Sequence, residues 1–266
     1  MAAGSSVDSR TLNRIADLIY RELGIVVDRS NVGILASKVK LFMMRTKVSE
    51  EELLRRIESD RAFFEELVSV ITVNETYFFR EKEHFEALVE LIKRKGAKSV
   101  KILSIPCSTG EEPLSIAIFL DDAFGASLRF DIVGVDVDKK AIEMAKTGIY
   151  SKRSVSRVPV KFLSKYFDEV EGFYKIKPHV LSKVRYFVGN IFDRGFLSRL
   201  GVFDFIFCRN LLIYFDAKKR QEALLNLATI HRAGGYLFIG KSETLIGLKV
   251  PYVREMVGKA VVYRLV

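Results

Sequence analysis

One turn of the chain, Ser104-Ile105-Pro106-Cys107-Ser108-Thr109-Gly110-Glu111-Glu112-Pro113, follows an apolar run and sets two carboxylates behind a single glycine. A dinucleotide or nucleoside-triphosphate turn wants repeated glycines, because backbone amides must come close to phosphates. Glu111 and Glu112 would repel phosphate. They favour a cationic or hydroxyl-rich ligand instead, and they match the dipole of the helix they open. Asp136 ends a second apolar run, FDIVGVDV, where a carboxylate can accept hydrogen bonds from a ribose diol. Its competing role is to cap the next helix, a task for which Asp138 is also placed. A ribose without phosphates, beside a positive charge, describes S-adenosylmethionine.

A second stretch, TVNETYFFRE (72–81), puts Tyr77, Phe78 and Phe79 in a row ahead of Arg80 and Glu81. Neither helical nor strand periodicity gathers three adjacent rings on one face, so some ring should meet something besides the ordinary core. The expected jobs are to pack the domains together and to shield a sulfonium, which cation–π attraction favours. The three histidines, His84, His179 and His231, lie in no motif and are expected to serve packing or surface roles. No metal site is expected.

These residues sit between two textures. Up to about residue 70 the apolar spacing is helical: Leu12, Ile15, Ile19 and Leu23, then Val32, Leu35, Val39, Phe42 and Met43. Gly24 offers a stop, and Ser49-Glu50-Glu51-Glu52 fits a capping box opening a third helix. Phe63, Phe64, Leu67 and Ile71 suggest a fourth. After the helix Phe85 to Lys95, strands at Val100–Pro106, Phe130–Val137, Phe203–Cys208 and Tyr236–Ile239 alternate with helices. Such alternation implies a parallel sheet binding its ligand beyond the carboxyl ends of the strands. The tail AVVYRLV (260–266) reads as a strand on the sheet edge. Residues 150–185 interrupt the alternation as a small inserted β subdomain. The expected fold is thus α/β, with a helical domain over 1–73 and a Rossmann-like sheet domain over 74–266.

With 49% hydrophobic and 29% charged residues the chain reads as globular and not disordered. It has no apolar run long enough for a membrane span and no secretory leader pattern. Two cysteines, Cys107 and Cys208, make no disulfide framework, so a cytoplasmic, reducing location is expected. The net charge of +10 calls for an anionic partner without naming it. Residues 29–49 hold Arg29, Lys38, Lys40, Arg45 and Lys47 and no acid, a basic stripe on the second helix.

Seven segments together, NETYFFRE, STGEEPLSIAI, VGVDVD, KTGIY, GNIFD, FDFIFCRNLLIYFD and GGYLFIGKSE, resemble the chemotaxis receptor methyltransferases, the CheR family. The resemblance covers nearly the whole chain. It implies a class I S-adenosylmethionine methyltransferase that esterifies glutamates in the cytoplasmic helical bundles of chemoreceptors, leaving S-adenosylhomocysteine. By motif, Asn74, Thr76 and Arg80 would line the cofactor from the N-terminal side. Glu111 would meet its charged end and Asp136 its ribose. Asn190 and Ile191, after the third parallel strand, would border the adenine. Arg209 and Asn210, after the next, would close the pocket around the methionine part. Arg80 and Tyr214 match the catalytic pair.

Esterifying a carboxylate needs little acid–base help, since a glutamate of pKa about 4.3 is already ionised at neutral pH. Arg80 would position it and Tyr214 would fix the geometry. Lys38, Lys40, Arg45 and Lys47 would dock the acidic methylation helices. The enzyme is expected to be monomeric, without membrane insertion or nucleic-acid substrate. Two rivals stand beside this reading. A nucleic-acid methyltransferase would need a Pro-Pro-aromatic or Pro-Cys motif where Arg209-Asn210-Leu211-Leu212 stands. A non-catalytic cofactor-binding sensor would have no use for both Arg80 and Tyr214. Some relatives of this kind use a glycine-containing loop in the inserted subdomain to bind a receptor's C-terminal pentapeptide. FDEVEGFYKIKPHV (167–180) is short with one glycine, which predicts independence of that tether.

Overall fold

The computed structural model describes residues 7–266. The chain divides into two compact units: residues up to Val73 with Tyr214–Lys219, and Asn74–Ile213 with Arg220–Val266.

The first unit carries α1 (Ser9–Leu23), α2 (Val32–Thr46), α3 (Glu50–Ser59) and α4 (Arg61–Ile71). The apolar stripes form its core: Ile15, Ile19, Val39, Phe42, Leu53 and Leu67 are all buried. Phe42 meets Phe63 edge-on at 5.1 Å. Gly24 closes α1 in the left-handed conformation, φ 73°, with its N–H on the Tyr20 carbonyl at 2.9 Å. The capping box on α3 is only half made. Ser49 accepts from the Glu52 N–H at 3.2 Å, but the Glu52 carboxylate turns forward to Arg55 at 2.8 and 2.9 Å. A cation one turn ahead outcompetes the return bond to the cap.

The second unit opens with α5 (Glu83–Lys95) and continues β1 (Ser99–Ser104), α6 (Glu111–Phe124), β2 (Arg129–Asp136) and α7 (Lys139–Thr147). The inserted part holds β3 (Ile149–Tyr150), α8 (Val160–Tyr166), β4 (Phe167–Val170), β5 (Phe173–Ile176) and α9 (Pro178–Leu181). Then come β6 (Val184–Val188), α10 (Arg194–Leu200), β7 (Phe203–Phe207), α11 (Ala217–Ala228), β8 (His231–Phe238), β9 (Tyr252–Val257) and β10 (Ala260–Leu265). Residues up to Lys219 of α11 group with the first unit.

The large sheet runs β6-β2-β1-β7-β8-β10-β9, and β3-β5-β4 make a small antiparallel sheet of their own. The first five strands of the large sheet are parallel, and β10 and β9 are antiparallel additions. Chain order therefore reverses at β1, with β2 on one side and β7 on the other. This is the doubly wound, Rossmann-like arrangement, whose ligand crevice opens at that reversal.

Two strands of the large sheet had no residue range in the sequence reading. In β6 (VRYFV), exposed Arg185 interrupts the apolar run and pairs with Asp131 at 2.6 Å. In β9 (YVREMV) only Val257 is buried, as suits an edge. The tail strand β10 is consequently not the edge. The two-residue turn Gly258-Lys259 folds β9 onto its open side, pairing Val257 with Ala260.

Phe78 and Phe79 are both buried inside the second unit. Phe78 stands edge-on to Tyr150 at 4.8 Å and Phe167 at 5.1 Å, fastening the small sheet. Phe79 does the same with Phe119 at 5.0 Å and Phe162 at 5.3 Å.

Candidate active site

Each candidate side chain of the second unit lies on the strip before α5 or just beyond a parallel strand. Glu111 follows β1, Asp136 closes β2, Asn190 and Ile191 follow β6, and Arg209 and Asn210 follow β7. The strip itself, residues 74–81, is backbone held under strain. Phe79 has φ 63° and Glu81 φ 54°, uncommon for non-glycine residues. A buried hydrogen bond from the Phe79 N–H to the Ser115 hydroxyl, 3.0 Å, helps hold it there.

Asn74, Ser108, Asp136 and Asp138 form one network. Asn74 Nδ2 donates to Asp138 Oδ2 at 2.7 Å, and the Ser108 hydroxyl donates to Asn74 Oδ1 at 3.2 Å. Asp136 accepts from the Ser108 N–H at 2.8 Å and the Asp138 N–H at 2.9 Å. The cap of α7 is Asp138, which accepts from the N–H groups of Lys140 and Ala141 at 2.9 and 3.3 Å. Asp136 is not that cap. Burial pushes its carboxyl up to about 6, against the pull of those two N–H groups.

Glu111 is likewise buried, with its pKa raised by desolvation, and accepts from the Thr109 hydroxyl at 2.6 Å. Gly110 turns the chain into α6 with φ 96°. A Cβ there would lie 2.8 and 2.9 Å from the hydroxyls of Tyr186 and Tyr150, so only glycine lets this turn close down.

Arg209 is almost wholly buried and engaged through both terminal nitrogens, while its Nε is buried without a hydrogen-bond partner. Nη1 meets Glu112 Oε2 at 2.8 Å, and Nη2 reaches the Arg80 carbonyl at 2.7 Å and Glu81 Oε2 at 3.0 Å. It ties the strip to the cofactor turn. Of its partners, Glu112 was read as complementing a cationic ligand and is instead paired with Arg209, while Glu81 had no assigned role although it lies inside a quoted motif. Glu243 was missed in the same way. Its carboxylate accepts from the N–H groups of Gly240 at 2.6 Å, Asn210 at 2.9 Å and Ile213 at 3.3 Å. That grip holds Asn210 in the left-handed region, φ 59°.

The Arg80 guanidinium donates to the Glu75 carbonyl at 2.9 Å and lies 5.7 Å from the Tyr77 ring. Thr76 is half-buried next to it. Asn190 accepts from the Phe192 N–H at 2.9 Å, and Ile191 is buried, its carbonyl taking Asn226 Nδ2 at 3.1 Å.

Tyr214 groups with the first unit, where its carbonyl accepts the Val26 N–H at 2.9 Å. Of the basic stripe in that unit, Arg45 and Lys47 are exposed and Lys40 is half-buried. Lys38 is a correction to the stripe. Its Nζ donates to the carbonyls of Ile71 and Thr72 at 2.9 and 3.1 Å, and burial lowers its pKa. The open carbonyls ending α4 recruit it as a cap.

No general base emerges from the histidines. Burial holds His84 near 3 and His231 near 4, so both stay neutral. Two buried carboxylates, Glu111 and Asp136, instead stand beyond the carboxyl ends of β1 and β2, and no basic side chain figures among the causes of either pKa shift. A cationic ligand rich in hydroxyls would supply what they lack, and S-adenosylmethionine fits that description.

Comparison with known proteins agrees. The family profile described as CheR methyltransferase, SAM binding domain, matches residues 74–260. Chemotaxis protein methyltransferase 2 of Vibrio cholerae is 33% identical over 87% of this chain and 84% of its own length. Chemotaxis protein methyltransferase 1 of Pseudomonas aeruginosa is 33% identical over 92% of this chain and 94% of its own. The chemotaxis protein methyltransferase of Campylobacter jejuni is 33% identical over 88% of each. S-adenosylmethionine is accordingly the cofactor of the second unit, and the chain belongs to the CheR methyltransferase family.

Proposed function

We propose that this enzyme methylates glutamate side chains in the cytoplasmic helices of chemoreceptors, forming glutamyl methyl esters that serve adaptation in chemotaxis. The carrying observation is a pair of buried carboxylates, Glu111 and Asp136, beyond the carboxyl ends of neighbouring parallel strands, with Arg80 on the strip before α5. The names of the three relatives given above, each a chemotaxis protein methyltransferase, support the same reading. It places the enzyme in the cytoplasm, where those helices lie. No described helix is long and apolar enough to cross a membrane.

When bound, the cofactor supplies an electrophilic methyl group on a sulfonium. Glu111 complements its positive end, Asp136 accepts from the ribose hydroxyls, and Asn190 with Ile191 borders the adenine. Asn74, Thr76 and Arg80 line it from the strip, and Asn210, on the loop anchored by Arg209, bounds the methionine part. Arg80 offers its planar fork to the incoming carboxylate. Binding that carboxylate too tightly would stabilise the ground state, so its role is alignment. Tyr214 is the second catalytic residue that the motifs imply. Catalysis then consists of orientation and exclusion of water.

Docking uses the exposed face of α2, where Arg45 and Lys47 stand among exposed Ile34, Leu41 and Met44. Such a mixed face suits an acidic amphipathic helix. Tethering by a receptor pentapeptide is not required. The β4–β5 connection is a two-residue turn, Glu171-Gly172, with φ 51° and 80°, which leaves no longer loop to receive a peptide. Micromolar binding of such a peptide in calorimetry would contradict this.

The net charge of +10 favours the nucleic-acid rival, and one experiment separates the two. After incubation with cofactor, mass mapping should find methyl esters on glutamates of a receptor cytoplasmic fragment. Methylated RNA or DNA with an unmodified receptor would support the rival.

A further inference from the structure

A cavity of about 710 Å³ opens in the second unit, lined by Tyr77, Phe79, Glu83, Glu86, Arg157 and Lys161 among others. Its acids are already matched. Glu81 pairs with Arg209 at 3.0 Å, Glu83 with Lys241 at 3.2 Å, Glu86 with Lys82 at 3.5 Å and Asp122 with Lys165 at 2.9 Å. Its cations are not all matched. Among the described residues, no carboxylate lies within ion-pair distance of Arg157 or Lys161. Both are held on aromatic faces instead, Arg157 4.4 Å from the Tyr77 ring and Lys161 4.4 Å from the Phe162 ring. The cavity therefore carries two uncompensated positive charges and suits an anionic group.

Its location gives that anion a context. The Tyr77 ring that supports Arg157 also lies 5.7 Å from the Arg80 guanidinium. The segment bearing Arg157 is anchored to the strip, because the Phe78 N–H donates to the Ser154 carbonyl at 2.9 Å. Val155 and Val158 are buried beneath it. An acid resting on Arg157 would thus sit at a fixed distance from a group aligned by Arg80. Fixed spacing between two acids is a property of a folded acidic segment, not of a free anion.

We propose that Arg157 and Lys161 form a second recognition site, on the methyltransferase unit itself, for a carboxylate-bearing segment of the protein substrate. It engages acids near the glutamate presented to Arg80 and so helps select which glutamate is modified. This rests on the receptor-methylation reading above.

The test is steady-state methylation of a receptor fragment by the whole enzyme carrying Arg157→Glu and Lys161→Glu. Exposed pairs contribute about 0.2–1 kcal/mol each, so KM for the fragment should rise roughly 2- to 30-fold at low salt, with kcat little changed. The difference should shrink as salt screens it. Affinity for S-adenosylhomocysteine, measured by calorimetry, should match wild type. If the reversed pair loses that affinity, Arg157→Gln with Lys161→Gln decides, with a smaller rise in KM expected. An unchanged KM with cofactor affinity intact overturns this inference alone, as does a rise that salt leaves untouched. Failure of the wild-type enzyme to methylate the fragment overturns the functional reading, and this inference with it.

Discussion

Burial drives the Asp136 carboxyl up to about 6, and the N–H groups of Asp138 and Ser108 pull the other way. A ribose hydroxyl donates to the ionised form, so cofactor affinity should fall as the pH drops through about 6. The sign for folding is opposite. With its folded pKa raised, this group binds its proton more tightly in the folded state, so its contribution to stability declines as pH rises from the ordinary carboxylate range toward about 6. Asp136→Ala should remove a charge-assisted contact of about 1.5–3 kcal/mol, roughly 10- to 150-fold in cofactor affinity by calorimetry. Unchanged affinity would mean that Asp136 only stiffens its loop. In the sequence, Asp136 and Asp138 were both placed to cap the next helix. The choice is made by Ser108, whose N–H reaches Asp136 from the neighbouring strand's turn, a contact no local pattern records. Lys38 teaches the same lesson. Its place in a basic stripe was legible, but the carbonyls it caps lie 33 and 34 residues away.

At the scale of elements, the loop after β7 depends on Glu243, which binds three backbone N–H groups at once. Gly240 makes room for this, since a Cβ there would meet Asn210 Nδ2 at 2.8 Å and Glu243 Oε2 at 2.9 Å. Glu243→Ala should cost about 1.5–3 kcal/mol in chemical denaturation and weaken cofactor binding by loosening Asn210. A variant with wild-type stability and wild-type cofactor affinity would contradict that role. Strand–helix alternation made the sheet readable, because β1, β2, β7 and β8 contain nearly continuous apolar runs. The edge strands β6 and β9 are open to solvent, β6 at Arg185 and β9 along nearly its whole length, and so carry Arg185, Arg254 and Glu255. That dilutes the signal, and with β9 unseen the tail strand was assigned to the edge.

For the molecule as a whole, the first unit presents Arg45 and Lys47 on α2 and the second unit bears the cofactor crevice. Arg45→Glu with Lys47→Glu should raise KM for a receptor fragment at low salt by the modest amount exposed pairs allow, about 0.2–1 kcal/mol each, and the effect should fade with salt. An unaltered KM would remove α2 as the docking face. Lys38 is unsuited to this test, because reversing its charge would unseat the end of α4. The measurement that bears most directly on the whole account is transfer of tritiated methyl from S-adenosylmethionine to a receptor cytoplasmic fragment. The account predicts label that mild base releases, and that disappears when the acceptor glutamates are replaced by alanine. Label that resists base, or cofactor binding without any transfer, would contradict it.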